Sequence, residues 1–312
     1  MKISKIAITC GDPAGVGPEL VKRCLAEYLE ADAQFTLVGP QYWIDEVRQS
    51  SALELGSKPV GHAIPPSVAG EPTHESSKIA LEAMEQAARG CGVGDFDGVV
   101  TGPISKARCE EVGFSHPGQT EFFASHWGGD PTMAFVGEKL KVVLATWHIP
   151  FATVSYHLTE SCLAMAIDRA NELAKRLEIK DPRIGVCGLN PHAGEEGLIG
   201  NEEAAIFNPL IGQLREVIPG LSDCQPADTI FHRAAKGAFD VVVALYHDQG
   251  LAPLKTLEFE TAVNVTLGLP FARTSPDHGT GYDIAGSGKA SHHSFSRAIK
   301  LAVKLAKRQK LD

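Results

Sequence analysis

Three histidines in this chain follow short apolar runs that have the character of β-strands. The runs Val142–Thr146, Arg183–Val186 and Val241–Tyr246 lead into His148, His192 and His247, respectively. In parallel α/β sheets ligands bind beyond the carboxyl ends of strands, so histidines distant in sequence can converge on one edge. Three neutral imidazoles suit a divalent transition metal such as zinc and leave a coordination position open for substrate. The alternative is three hydrogen-bonded loop histidines, and spacing alone does not decide between the two interpretations.

Two glycine-containing loops could bind an anion. Residues Gly11–Glu19 follow the first predicted strand and open a helix, where backbone N–H groups favour negative charge. A tight turn shaped by glycine and proline explains the same pattern. Gly118–Glu121 is a similar loop, in which Thr120 either caps the following helix or holds a ligand oxygen.

Polar residues also surround one late strand. Lys255 and Arg273, with Asn264 between them in sequence, could clamp a phosphate or carboxylate, although solvated charges are the simpler interpretation of each residue alone. Residues Arg273–Gly281 are dense in polar and turn residues, as binding loops often are. The sequence contains no G-x-G-x-x-G fingerprint, no Walker loop and no G-x-S-x-G elbow, which argues against a Rossmann dinucleotide site, a P-loop kinase and a serine hydrolase.

The elements that must position these residues alternate between strands and helices. Strands are predicted at Lys5–Thr9, Phe35–Val38, Gly98–Thr101, Val142–Thr146, Arg183–Val186, Val241–Tyr246 and Ala262–Thr266. Helical spacing is found at Ser76–Ala88, Ser161–Leu177, Asn201–Val217 and Ser294–Arg308. The strand runs are nearly continuous in apolar character, which favours an α/β fold with mostly parallel sheets covered on both faces. We predict two lobes, residues 1–115 with 290–312 and residues 116–289, the second carrying the three histidines.

Composition excludes several classes of protein. The net charge of -9, with no broad basic face, argues against a nucleic-acid binder. Seven cysteines without a C-x-x-C pair form neither a disulfide framework nor a thiolate zinc site. No apolar run has the roughly 20 residues of a membrane span, and none near the N-terminus suits a signal peptide. We therefore expect a cytoplasmic protein.

Several motifs, in order along the chain, resemble one enzyme family. They are Gly11–Glu19, Thr101-Gly102-Pro103, Gly188–Gly194, Pro226–Thr229, Tyr246–Leu251 and Asn264–Gly281. Together they are similar to the 4-hydroxythreonine-4-phosphate dehydrogenase family of pyridoxal phosphate biosynthesis. The resemblance implies two α/β/α lobes like those of isocitrate and isopropylmalate dehydrogenases, with the active site in the cleft, and explains NAD binding without a Rossmann fingerprint.

The same resemblance implies roles for individual residues. His148, His192 and His247 would bind one divalent metal per site, Zn²⁺ with Mg²⁺ or Co²⁺ as alternatives, and would act in catalysis through it. The substrate contacts would be Gln119, Thr120, Lys255, Asn264 and Arg273. Asp248, adjacent to a ligand, would orient an imidazole, and Lys106 is a candidate general base.

The implied reaction uses NAD, or NADP, to oxidise 4-phosphohydroxy-L-threonine to 2-amino-3-oxo-4-phosphonooxybutanoate, which decarboxylates to 3-amino-2-oxopropyl phosphate. The implied assembly is a homodimer with the active site at the subunit interface, for which we expect His148 and His192 from one subunit and His247 from the other. One position departs from the family, which commonly has Gly-His-Thr-Glu where this chain has Gly118-Gln119-Thr120-Glu121. Gln119 cannot carry a positive charge. A dehydrogenase of threonate or erythronate 4-phosphate is therefore the alternative function.

Overall fold

The structure is a computed structural model that describes residues 3–28, 30, 33–62 and 66–308. The chain divides into two compact units. Unit 1 comprises Met1–Pro131 and Val263–Asp312, and unit 2 comprises Thr132–Ala262. Among the described residues, no helix has both the length and the apolar character that crossing a bilayer requires.

Eleven strands are found in the described residues. They are β1 (Ser4–Thr9), β2 (Ala33–Gly39), β3 (Gly56–Pro59), β4 (Gly98–Val100), β5 (Thr132–Val136), β6 (Lys141–Leu144), β7 (Ile184–Cys187), β8 (Leu221–Gln225), β9 (Val241–Ala244), β10 (Val263–Leu267) and β11 (Ala272–Pro276).

The helices of the same residues, in chain order, are α1 (Gly17–Glu27), α2 (Gln41–Ser50), α3 (His74–Gly92), α4 (Lys106–Glu110), α5 (Gln119–Trp127), α6 (Val154–His157), α7 (Glu160–Arg176), α8 (Asn208–Leu214), α9 (Ala227–Ala235), α10 (His247–Glu258) and α11 (His293–Arg308). A short 3-10 helix at Phe151–Thr153, a turn at Pro191–Gly197 and a π-helical turn at Glu203–Phe207 complete the set.

Each unit contributes a mostly parallel sheet. In unit 1 the strand order is β3-β2-β1-β4-β11-β10, and the β10–β11 pair is antiparallel. In unit 2 the order is β5-β6-β9-β7-β8, and the β5–β6 pair is antiparallel. The predicted α/β class with mostly parallel strands is thereby confirmed.

The central strands are buried along their whole length because helices cover both faces. Every residue of β7 and β9 is buried, as expected for parallel strands made of continuous apolar runs. In unit 2, α7 and α10 both pack against β6 and β9, and in unit 1, α11 packs against β4 and β11. The strands that lead into the site are therefore packed between helices, which fixes the positions of their carboxyl ends.

All seven predicted strands are present, but the boundary between units differs from the predicted one. The first crossing lies after Pro131 rather than after residue 115, and the return crossing precedes Val263 rather than residue 290. The Pro- and Gly-rich stretch near residue 115 only opens α5, which packs on α3 inside unit 1. Likewise, β10 and β11 belong to unit 1 because β11 pairs with β4.

Candidate active site

His148 and His247 lie side by side at one edge of the unit 2 sheet. Their strands, β6 and β9, are parallel neighbours, with Leu144 opposite Ala244, so the segments beyond the two carboxyl ends emerge together. The ring centroids of His148 and His247 are 5.8 Å apart with an interplanar angle of 38°. Both line a cavity of about 420 Å³, together with Phe151 and Tyr246.

A carboxylate fixes the orientation of the His247 ring. His247 is the first residue of α10, and its Nδ1 lies 2.6 Å from Oδ1 of Asp248. Because an ionised carboxylate only accepts hydrogen bonds, Nδ1 carries the proton and Nε2 keeps its lone pair when the ring is neutral. This is the usual arrangement of a metal-binding histidine.

The backbone at His148 is in an unusual conformation. Its φ is 50°, in the left-handed region that residues with a side chain rarely adopt. The residue follows Trp147 in an irregular segment between β6 and the 3-10 helix at Phe151–Thr153. Strained backbone of this kind persists where the surrounding structure enforces it and is found often at functional sites.

His192 lies in a more strongly strained segment. Five consecutive residues of the Pro191–Gly197 turn, from His192 to Glu196, have positive φ values, and only Gly194 is a glycine. Left-handed backbone costs roughly 1–2 kcal/mol for each non-glycine residue. Nδ1 of His192 lies 2.9 Å from Oε2 of Glu195, so this imidazole also has a carboxylate on Nδ1 and a free Nε2.

Gln249 joins the loops that carry His192 and His247. Its buried amide accepts a hydrogen bond from the N–H of Leu245 at 2.7 Å and donates one to the carbonyl of Gly188 at 2.7 Å. Leu245 follows β9 and Gly188 follows β7, so one side chain fixes two strand ends. Gln249 was not predicted as a site residue, although an amide in the first turn after a buried strand was an available signal.

The described residues of one chain do not bring all three histidines together. No group of three or more His, Cys, Asp or Glu side chains within residues 3–28, 30, 33–62 and 66–308 could hold a metal ion. Within one chain the rings of His148 and His247 are adjacent, while the expected division of the three ligands between two subunits stays a prediction. Strand β9, which leads to His247, lies between β6 and β7, so the three histidines follow three neighbouring strands.

Unit 1 contains four of the five predicted substrate contacts, with Gln119, Thr120 and Asn264 grouped around Arg273. From β11, Nη1 of Arg273 donates to Oδ1 of Asn264 and Oγ1 of Thr266, each at 3.3 Å. Nη2 donates to Oγ1 of Thr101 at 2.8 Å and to Oε1 of Gln119 at 3.1 Å. Thr101 and Thr266 were not predicted as contacts, although Thr101 belongs to one of the motifs that carry the family resemblance.

The guanidinium of Arg273 is a buried charge whose hydrogen bonds go to neutral oxygens. The residue is 3% exposed, its Nε has no hydrogen-bond partner, and burial lowers its pKa to about 10, against an opposing effect of the Glu121 charge. At neutral pH the group is therefore still cationic. A buried cation bonded to hydroxyl and amide groups is well suited to binding an anionic ligand.

The first turn of α5 contributes Gln119 and Thr120 to the same cluster. Nε2 of Gln119 donates to the carbonyl of Gly102 at 3.3 Å, and Oγ1 of Thr120 lies 3.4 Å from Oγ1 of Thr266. Thr120 does not cap α5, since the N-cap residue is Gly118. A Cβ atom placed on Gly118 would lie 3.6 Å from Nζ of Lys106, so this lysine flanks the cluster.

Lys255 and residues 273–281 differ from their predicted settings. Lys255 belongs to α10 of unit 2, where its Nζ lies 5.9 Å from the centroid of the Phe259 ring. Residues 272–276 form strand β11 rather than a loop. The segment looks like a loop in sequence because Arg273, Thr274 and Ser275 are polar, yet all three are buried.

The Gly11–Glu19 loop uses its backbone amides internally. The N–H groups of Asp12, Gly15 and Val16 donate to the carbonyls of Pro103, Asp12 and Thr280, and the N–H of Ala14 donates to Oδ1 of Asp12. These amides already have protein acceptors, which favours the tight-turn interpretation over an anion site.

Comparison with known proteins places the chain among related enzymes. Residues 20–302 match the family model described as "Pyridoxal phosphate biosynthetic protein PdxA". The 4-hydroxythreonine-4-phosphate dehydrogenase of Erythrobacter litoralis is 37% identical, covering 97% of both chains, and that of Paracoccus denitrificans is 39% identical, covering 97% of this chain and 98% of the relative.

Solved structures agree with the sequence comparison. The Klebsiella pneumoniae 4-hydroxythreonine-4-phosphate dehydrogenase is 33% identical with a TM-score of 0.80, covering 97% of this chain and 99% of that one. A terephthalate 1,2-cis-dihydrodiol dehydrogenase from Burkholderia xenovorans is 27% identical with a TM-score of 0.73, covering 97% and 98%. Dehydrogenases with different named substrates thus share this architecture.

Proposed function

The chain belongs to the family of the pyridoxal phosphate biosynthetic protein PdxA, and we propose that it oxidises 4-phosphohydroxy-L-threonine with NAD, or NADP, as the hydride acceptor. The product, 2-amino-3-oxo-4-phosphonooxybutanoate, then loses carbon dioxide to give 3-amino-2-oxopropyl phosphate. This is a step of pyridoxal 5'-phosphate biosynthesis. The seven cysteines are free thiols, which supports a reducing, cytoplasmic location.

The observation that carries the proposal is the buried cation of Arg273. Its hydrogen-bond partners Thr101, Gln119, Asn264 and Thr266 are neutral, so none of them cancels its positive charge, which would attract the phosphate end of the substrate. Thr120 and Asn264 add a hydroxyl and an amide beside the guanidinium. The family resemblance implies Lys255 as a further substrate contact. Binding this end, remote from the reacting carbon, fixes the orientation of the substrate.

The donor set of unit 2 fits a divalent metal ion. His192 and His247 each place a carboxylate on Nδ1, which leaves Nε2 available as a ligand, and His148 lies beside His247. Imidazole ligands suit Zn²⁺ best among the candidates, with Co²⁺ close behind and Mg²⁺ less favoured. When bound, the metal would lower the pKa of the substrate hydroxyl and stabilise negative charge on its oxygen.

The reaction balances with one hydride and one proton. Oxidation of the secondary alcohol breaks its C–H and O–H bonds, the hydride goes to the nicotinamide, and the proton goes to a base. Lys106 is the candidate proton acceptor because its Nζ flanks the Gly118–Thr120 turn. The resulting ketone is β to the carboxylate, so its carbonyl accepts the electron pair of the C–C bond as carbon dioxide departs.

We further propose that the metal site is completed across a homodimer. Because the rings of His148 and His247 are adjacent within one chain, we take these two ligands from one subunit and His192 from the second. The division expected from sequence, with His247 from the second subunit, is the alternative. Large apolar side chains near these histidines support a protein interface. Phe151 is 73% exposed and Leu198 is 85% exposed, and a second subunit would cover them.

The direct test is the formation of NADH with three candidate acids. We expect the highest kcat/KM with 4-phosphohydroxy-L-threonine. A higher kcat/KM with threonate or erythronate 4-phosphate would assign the alternative function. This alternative is tested because the uncharged Gln119 replaces the histidine that is common in the family. No NADH or NADPH with any of the three would overturn the proposal.

A further inference from the structure

The strained turn that carries His192 requires a feature that holds it in place. Four non-glycine residues between His192 and Glu196 have left-handed backbone, which an isolated segment would relax. His192 itself is exposed on this turn, its side chain 63% accessible to solvent, so packing of the histidine cannot supply the restraint. The restraint must come from residues that contact the ends of the turn.

Glu203 contacts the residue at which this turn begins. The side chain of Glu203 is buried, with 1% exposure. Its Oε1 accepts a hydrogen bond from the backbone N–H of Asn190 at 2.7 Å, and its Oε2 accepts one from Nδ2 of Asn190 at 2.9 Å. The carbonyl of Asn190 in turn accepts the N–H of Ala193 at 3.0 Å, which is a hydrogen bond inside the turn.

The carboxylate also fills space that two glycines leave open. A Cβ atom on Gly194 would lie 2.9 Å from Oε2 of Glu203, and one on Gly188 would lie 3.2 Å from Oε1. Gly188 precedes the turn and Gly194 is at its centre. Glu203 therefore bonds the start of the turn and packs against its middle, and it is itself held by the π-helical turn Glu203–Phe207.

We propose that Glu203 is a positioning residue that holds the Pro191–Gly197 turn in its left-handed form and so presents His192 to the metal. The proposal rests on the proposed function of His192 as a metal ligand. Glu203 does not bind metal or substrate. It acts through Asn190 and the backbone of the turn.

The chemistry of the contact allows a nearly isosteric test. Both oxygens of Glu203 accept hydrogen bonds from N–H donors of Asn190. In Glu203→Gln one acceptor becomes an NH₂ group that faces another donor, so one bond is lost although the volume is unchanged. The matched control is Glu258→Gln. Glu258 is also a buried carboxylate of unit 2, with 7% exposure, and accepts a backbone N–H, that of Lys139.

The experiment is a titration of metal-stripped, full-length protein with Co²⁺, followed by its visible absorption, alongside thermal unfolding of each variant. We expect Glu203→Gln to raise the Kd for Co²⁺ by about tenfold or more, whereas Glu258→Gln leaves the Kd unchanged even if it lowers Tm. Should Glu203→Gln not fold, Asn190→Ala removes the side-chain hydrogen bond to Glu203, together with the one that Nδ2 of Asn190 donates to Oε2 of Glu202 at 2.7 Å, and should weaken Co²⁺ binding in the same direction. An unchanged Kd in a folded Glu203→Gln or Asn190→Ala variant would overturn the proposal.

A double-mutant cycle shows whether Glu203 acts through His192. In a His192→Ala background, adding Glu203→Gln should change the Kd by less than about twofold, because the imidazole that it positions is gone. A full tenfold effect in that background would overturn the positioning role. If His192→Ala alone does not weaken Co²⁺ binding, the proposed three-histidine site fails instead, so the two failures are distinguishable.

Discussion

The rings of His148 and His247 lie 5.8 Å apart within one chain, although the residues belong to segments far apart in sequence. Their adjacency follows from the parallel pairing of β6 with β9. This pair supplies two of the three imidazoles of the proposed metal site, which a second subunit would complete.

The first prediction concerns metal content. Purified protein should bind about one transition metal per chain. His148→Ala, His192→Ala and His247→Ala should each weaken metal binding by more than the roughly 10–100-fold that loss of an outer hydrogen bond costs. His62→Ala and His293→Ala are the matched controls and should retain the metal. Elemental analysis after dialysis measures this, and equal losses in all five variants would mean that the histidines matter only for folding.

Mixing inactive subunits tests whether the site is shared. If His148 and His247 come from one subunit and His192 from the other, a mixed dimer of His148→Ala with His192→Ala contains one complete site. Random pairing would then recover roughly a quarter of wild-type activity, since half the dimers are mixed and half of their sites are intact.

The control mixture combines His148→Ala with His247→Ala and should recover nothing, because every site lacks a ligand. Recovery in this mixture instead of the first would restore the pairing expected from sequence. No recovery in either, with subunit exchange verified, would place each site within one chain.

Arg273 should be required for substrate binding more than for stability. Arg273→Met should lower kcat/KM for the phosphorylated substrate by an amount equivalent to about 2–5 kcal/mol. The free energy of unfolding should change by less than about 2 kcal/mol, because the desolvation penalty of the buried cation disappears along with its hydrogen bonds. Steady-state kinetics and urea unfolding measure the two quantities.

A matched arginine controls for a general effect of charge removal. Arg169→Met removes a largely buried arginine of unit 2 that pairs with Glu172 at 2.9 Å, and kcat/KM should not change. If Arg273→Met and Arg169→Met reduce kcat/KM equally, the anion-binding role of Arg273 is wrong.

Gln119→His should alter substrate binding without altering metal content. The imidazole can donate to the Gly102 carbonyl in place of the amide, but once protonated it cannot accept from Nη2 of Arg273. The KM of the variant should therefore differ most from that of the wild type below about pH 6.5. The wild-type protein provides the comparison at each pH. A change in metal content would show that this first turn of α5 has a different role.

The sequence predicted the buried strands better than the polar ones. Strands such as β7 and β9 are continuous apolar runs, and such runs indicate strands that are buried on both faces. Three of the four unpredicted strands, β3, β8 and β11, are polar in sequence, and β11 is polar because it carries Arg273 into the cluster. In the fourth, β5, Thr132–Val136 is apolar but pairs antiparallel with β6, outside the βα alternation used for prediction.

The site residues also divide into those that the sequence predicted and those that it did not. Strand-end position alone selected His148, His192 and His247, since that placement depends on fold class. The backbone of the His192 loop could not be predicted, because the left-handed turn from His192 to Glu196 contradicts the preference of its own residues and is stabilised by distant contacts such as that of Glu203. Thr101 and Gln249 were missed because neutral side chains carry little sequence signal.

The most direct measurement of the central claim is the rate of NADH formation from 4-phosphohydroxy-L-threonine before and after removal of metal. We expect activity to be lost when a chelator strips the protein and to return on addition of Zn²⁺, Co²⁺ or Mn²⁺, because neutral imidazoles bind these ions well. Full activity in protein shown to be free of metal would contradict the assignment of His148, His192 and His247 as the ligands of a catalytic metal.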